Sequence, residues 1–100
     1  MGKLKNKTFL CLSGGREAIC GINILKSLGA RIYVFDGDEN APARHHADGF
    51  QKVNIYDENE VARILEKIDY RSIEGVVALG TDNPRSVSKA KLLLNKENDN

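Results

Sequence analysis

The run Thr8-Phe-Leu-Cys-Leu-Ser-Gly-Gly-Arg-Glu17 sets the architecture of this chain. Thr8 to Ser13 is a short apolar stretch with the length of a buried strand, too brief for a helix. Gly14-Gly15 ends it in a tight turn, and Arg16 and Glu17 open a helical pattern. A strand that passes through a glycine turn into a helix is the first unit of an open α/β sheet. Its turn lies at the carboxyl end of the strand, where such sheets bind ligands. The N–H groups that begin the helix suit an anion at the same place.

Reading outward, residues 16–28 place Ala18, Ile22, Leu25 and Leu28 at helical spacing, with Ile19 and Ile24 widening the apolar stripe. Gly29 caps this helix at its carboxyl end. Residues 31–35 (Arg-Ile-Tyr-Val-Phe) are β-branched and aromatic, the composition of a second strand. A polar loop follows from Asp36 to Pro42, then a short turn through Arg44 to Asp48. Residues 50–55 alternate apolar and polar, as in a half-exposed strand near a sheet edge. Asp57 reads as an N-cap, with Glu60 completing a capping box, ahead of a helix that buries Val61, Ile64, Leu65 and Ile68. Residues 75–79 form a fourth strand, which leads into Gly80-Thr81-Asp82. A last helix begins near Pro84, where a missing N–H costs nothing, and carries Val87, Ala90, Lys91 and Leu94.

Right-handed crossovers turn this order into an α/β fold. The expectation is a Rossmann-like open parallel sheet of about four strands, in the order 3-2-1-4, with helices on both faces. Residues 1–7 read as a polar lead, 8–95 as the folded domain and 96–100 as a disordered tail.

Composition narrows the function. One hundred residues allow a single domain. Lys+Arg 15 against Asp+Glu 14 leaves a net charge of +1, which argues against a nucleic-acid partner. Lys3, Lys5 and Lys7 lie in the lead without aromatic neighbours and read as a solubilising segment. No apolar stretch reaches membrane-spanning length and no signal peptide is recognisable, so no membrane is expected and the setting reads as cytoplasmic. Cys11 and Cys20 lack C-x-x-C spacing; both read as free thiols in or near the core. His45-His46 with Asp48 invites a metal, but adjacent histidines point apart and no further ligand is well spaced, so no metal site is expected. Neither cysteine has an identifiable base, and no catalytic residue is expected.

The first and fourth strands are expected neighbours, with the switch in strand order between them. Gly14, Gly15, Arg16 and Glu17 from one turn, with Thr81 and Asp82 from the other, are the candidate substrate-binding residues. Arg16 can hold a carboxylate or phosphate through two parallel N–H bonds. A cation at a helix start opposes the helix dipole, so a ligand is the better reason for it. Structural readings stand beside these: glycines for the turn dihedrals, Glu17 to complement the dipole, Asp82 as an N-cap. A dinucleotide site is the alternative, with Asp36 at the end of the second strand as the residue that would bind the ribose of NAD. The glycine pattern departs from G-x-G-x-x-G, since Arg16 follows Gly14 by two positions and Glu17 follows Gly15 by two.

Four motifs stand in order at the strand ends: Gly14-Gly15-Arg16-Glu17, Asp36-x-Asp38-x-Asn40-Ala41-Pro42, Ala47-Asp48-x-Phe50 and Gly80-Thr81-Asp82. Together they resemble the N-terminal, pre-ATP-grasp domain of ATP-grasp ligases, closest to the carbamoyl-phosphate-synthase-like and carboxylate–amine ligase branches. The resemblance covers roughly residues 7–95. It implies a domain that binds no cofactor itself, while ATP and magnesium belong to a following ATP-grasp domain that activates an acid as an acyl phosphate for attack by an amine. It further implies that Gly15, Arg16 and Glu17 touch the small carboxylate or amine substrate, that Thr81 and Asp82 border the same pocket, and that Asp36 and the Asn40-Ala41-Pro42 turn are scaffold. No ATP-grasp domain is recognisable within the sequence, so the chain is expected to be inactive alone and to act with such a domain in cis or in trans. Leu92-Leu-Leu94 cannot all face one sheet, which leaves apolar surface for another domain or for a homodimer. Two other functions compete: a small nucleotide-binding regulatory module and a purely structural interaction domain.

Overall fold

Side chains on a strand alternate between the faces of a sheet, and that alternation divides the core of this protein in two. The computed structural model describes residues 2–68, 72–79 and 84–98, with backbone alone at 84–85 and 94–98. In chain order it contains β1 (Thr8–Leu12), α1 (Ala18–Ser27), β2 (Arg31–Asp36), a short 3-10 helix (Pro42–His46), β3 (Gly49–Lys52), α2 (Glu58–Lys67), β4 (Ile73–Val77) and α3 (Pro84–Asn98). The strands form one parallel four-stranded sheet in the order β3-β2-β1-β4. This is the α/β, Rossmann-like arrangement that the sequence pattern predicts. Leu10 and Leu12 of β1 and Phe35 of β2 point to one face, where they meet Val61 and Leu65 of α2 and Ala90 of α3. Cys11 of β1, with Ile32 and Val34 of β2, points to the other, against Ala18 and Ile22 of α1 and Ala43 of the 3-10 helix. Each large apolar side chain buried this way contributes about 1.5–3 kcal/mol.

Local signals set the helix ends. Gly29 has φ +96°, its N–H donates to Lys26 O at 2.9 Å and the Ala30 N–H reaches Leu25 O at 3.1 Å, which together close α1. The Asp57 carboxylate accepts from the N–H groups of Asn59 at 3.0 Å and Glu60 at 3.2 Å. The capping box is only half formed, however. The Glu60 carboxylate accepts from the Asn54 N–H, and the Asp57 N–H donates to Asn54 O, because the turn from β3 already supplies that acceptor.

Several expectations are corrected. α1 begins at Ala18, two residues late, because Ala18 and Ile19 bond back to Gly15 and Arg16 in a tighter turn. β3 begins at Gly49, where the Tyr33 ring lies 2.6 Å from the position a Cβ would take; the glycine admits the ring and starts the strand. β4 begins at Ile73, which is buried in the core, ahead of Gly75. α3 is Pro84–Asn98. Residues 2–7 are docked: the Leu4 N–H donates to Leu28 O, the Arg31 N–H donates to Lys7 O, and Leu4 packs on the α1 side. Their three lysines stay in solvent. Ile24 is 55% exposed and Cys20 is exposed, so neither joins the core. Leu92 is exposed while Leu93 packs against the core; the side chain of Leu94 lies outside the described residues. Among the described residues, no helix is long and apolar enough to cross a membrane.

Candidate functional site

The turn after β1 divides into a half that the fold holds and a half that solvent sees. Gly14 belongs to the first. It is buried, its N–H donates to Asp36 Oδ2 at 2.7 Å, and its carbonyl accepts from the Ala43 N–H at 2.8 Å. A Cβ there would lie 3.0 Å from both the Ala41 Cβ and the Val34 Cγ1, so glycine is what lets β1 leave the sheet so close to β2. The other Asp36 oxygen accepts from the Asp38 N–H at 2.9 Å, and Asp38 in turn holds the Asn40 N–H at 2.9 Å. The acid at the tip of β2 therefore ties the two loops together.

Arg16 and Glu17 form the second half, with Gly15 between the two. The Gly15 N–H donates to Ser13 Oγ at 3.3 Å. The Glu17 carboxylate folds back over Gly15, its Oε2 2.7 Å from where a Cβ would stand. Arg16 and Glu17 are exposed at the start of α1. Among the described residues, no partner receives the Arg16 guanidinium or the N–H groups of Arg16 and Glu17. The turn thus presents a cation and two unengaged backbone donors at the carboxyl end of β1, next to a carboxylate. Such a set can hold a carboxylate or phosphate oxygen and still meet an ammonium. Gly80, Thr81 and Asp82, the expected second wall, lie outside the described residues.

Cys11 sits beneath this turn and donates its thiol hydrogen to Ser13 O at 3.3 Å. Burial pushes the thiol up to about 11; the Asp36 charge adds to the rise and a hydrogen bond with the Leu79 backbone opposes it. The thiol is neutral and is no nucleophile at ordinary pH.

Other candidates resolve into structure. Asp48 Oδ2 accepts from the Ile32 N–H at 2.8 Å and Oδ1 meets Lys26 Nζ at 3.3 Å, which fastens the amino end of β2 to α1. Sequence reading weighed Asp48 as a metal ligand beside His45-His46 and as part of a motif, and missed this fastening; an acid just ahead of a strand was the available signal. His46 Nδ1 lies 3.3 Å from Asn23 Oδ1, a contact between the 3-10 helix and α1. Among the described residues, no group of His, Cys, Asp and Glu is placed to hold a metal. A pocket of about 240 Å³ opens at the opposite, amino end of the sheet, lined by Thr8, Arg31, Tyr33, Asp48, Gly49 and Ser72 among others. It is not the crevice expected at the strand carboxyl ends.

The sheet order and the turn after β1 define the class: a Rossmann-like α/β domain with its exposed donors at the point where strand order reverses. The family model described as PylC-like, N-terminal domain matches residues 9–94, and the chain belongs to that family. It is a pre-ATP-grasp domain of the carboxylate–amine ligase kind. Among solved structures it is similar to phosphoribosylglycinamide synthetase from Anaerococcus prevotii (TM-score 0.73, 22% identity, 94% of this chain and 23% of that one). It is also similar to N5-carboxyaminoimidazole synthetase from Staphylococcus aureus (TM-score 0.64, 20% identity, 96% and 24%). Cj0485 dehydrogenase shares the fold as well (TM-score 0.66, 14% identity, 95% and 49%), so fold alone does not separate a ligase domain from a dehydrogenase domain. The chain spans about a quarter of the length of the two ligase structures. No curated protein matches it in sequence.

Proposed function

We propose that this chain is the substrate-facing N-terminal domain of an ATP-grasp carboxylate–amine ligase, lining one wall of the acid or amine site. The observation that carries the reading is the split turn: Gly14 engaged entirely by the fold, Arg16 and Glu17 left exposed beside it. In this role the Arg16 guanidinium and the first N–H groups of α1 hold the substrate carboxylate, while the Glu17 carboxylate meets an ammonium or steadies Arg16. Thr81 and Asp82, by the family resemblance, complete the wall. ATP and magnesium are assigned to an ATP-grasp domain, in cis or in trans, where they would supply activation of the acid as an acyl phosphate. The domain's own share is to bind and orient.

The dinucleotide alternative is disfavoured by the geometry. The Gly14 N–H is consumed by Asp36 and is not offered to a pyrophosphate, and the turn departs from the G-x-G-x-x-G pattern that such a ligand needs, with Arg16 where a bare backbone approach is required. An amide-resolved NMR titration of the full chain tests the reading, with glycine, NADH and Mg-ATP as separate probes. The expected result is weak shifts centred on Arg16 and Glu17 with glycine, lost in Arg16→Gln, and none with NADH or Mg-ATP. Saturable shifts at Gly14 and Gly15 with NADH would overturn it.

A further inference from the structure

We infer that Ser13 is a positioning residue of the ligand turn, fixing through a strained main chain and its hydroxyl which donors face the substrate; this rests on the reading of Arg16 and Glu17 as substrate-facing. Ser13 has φ +149°, one of two non-glycine residues described with positive φ. The other, Asn6 at +67°, is an ordinary left-handed turn residue in an exposed segment. At +149° a Cβ crowds the neighbouring peptide, and such a conformation persists only where the surroundings over-determine it. They do so here from both sides. The Cys11 thiol holds the Ser13 carbonyl, and Gly14 is clamped at once by Asp36 and Ala43.

A glycine at position 13 would reach this φ without strain but would lack the hydroxyl, which accepts the Gly15 N–H. Of the consecutive N–H groups from 14 to 17, Gly14 is taken by Asp36 and Gly15 by Ser13. Those of Arg16 and Glu17 have no acceptor among the described residues. Ser13 thereby marks the boundary between the held and the presented half of the turn, although it is only 7% exposed itself.

The test compares Ser13→Ala and Ser13→Gly with the unaltered full chain, without ligand. Thermal unfolding and amide hydrogen exchange are measured, with the heteronuclear NOE at Arg16 as a measure of order. Both variants lose the acceptor, so exchange at Gly15 should accelerate by about twofold to tenfold relative to Leu65 in α2, and Arg16 should lose order. The glycine variant should melt above the alanine variant, the reverse of the usual ranking, because only glycine relieves the strain. Melting of Ser13→Ala at or above Ser13→Gly would overturn the strain argument. Gly15 exchange that merely tracks Leu65 would overturn the positioning role, since general destabilisation moves both alike. Neither readout uses ligand, so a failed glycine titration would count against the site reading and not against this one.

Discussion

Removing the Asp36 carboxylate should cost more than any exposed-looking acid would suggest. Its oxygens accept from the Gly14 N–H at 2.7 Å and the Asp38 N–H at 2.9 Å. The two donors differ in what becomes of them. Asp38 is exposed and its N–H can turn to water, whereas Gly14 is buried and its N–H is stranded. In Asp36→Ala the stranded donor and the lost charge-assisted bonds together should destabilise the chain by about 2–4 kcal/mol. Asp36→Asn keeps an oxygen for Gly14 and sacrifices mainly the bond to Asp38, which predicts a loss of about 1 kcal/mol. A domain with a typical stability of about 5–15 kcal/mol stays folded in both cases, so the order can be measured. The assay is urea unfolding followed by far-UV circular dichroism, reading the midpoint at unchanged slope. If Asp36→Ala falls within about 0.5 kcal/mol of the unaltered chain, as an uninvolved surface residue would, the carboxylate does not hold the turn. If Asn proves as damaging as Ala, charge and not the bond to Gly14 is what matters.

Three further outcomes are expected. Asp57→Ala removes the acceptor for the Asn59 and Glu60 N–H groups and should lower stability by about 1 kcal/mol in the same urea assay; no change would mean that water replaces the cap. The thiols should separate in a labelling experiment at pH 8, with Cys20 reacting at once with a disulfide reagent and Cys11 only as fast as the chain opens. Cys11 also predicts a pH effect: its value in the folded chain is about 11 against an ordinary 9.0, so the unfolded chain gives up its proton first. The stabilising contribution is complete below about pH 9 and is lost as pH rises towards 11. Cys11→Ala should therefore show a shallower fall in urea midpoint between pH 8 and 10 than the unaltered chain, and an equal fall would refute the assignment.

What was legible in the sequence is what short-range physics controls. The apolar run of Thr8–Ser13, the stripe of Ala18, Ile22 and Leu25, the cap at Gly29 and the cap at Asp57 all involve contacts within a few residues, and the structure contains them. Connection rules then carry four short strands to one sheet order. Expectations failed where a local signal had a distant competitor. Glu60 turned to Asn54 although the capping pattern pointed to Asp57, and Gly49 opened a strand because Tyr33 needed the space. The lead that reads as a polar, solubilising segment docks on Leu28 and Arg31, since Leu4 finds an apolar face that composition does not show.

The candidate site shows the same division. Glycine turn, arginine and acid were readable in order, and the structure brings Gly14 to Glu17 into one turn. Their separate fates were not readable. Gly14 is claimed by Asp36 across 22 residues, Asp48 reaches Ile32 across 16, and Ser13 is held at a dihedral that no serine adopts by preference. Periodicity and capping are properties of a chain segment, because the energies behind them act between neighbours along the backbone. Which acceptor a buried N–H finds depends on which atoms of distant segments are packed within about 3 Å of it. Residue order alone specifies a parallel α/β domain of this family with an arginine at the carboxyl end of its first strand. Only the folded chain settles which donors of that turn are consumed inside and which are left exposed.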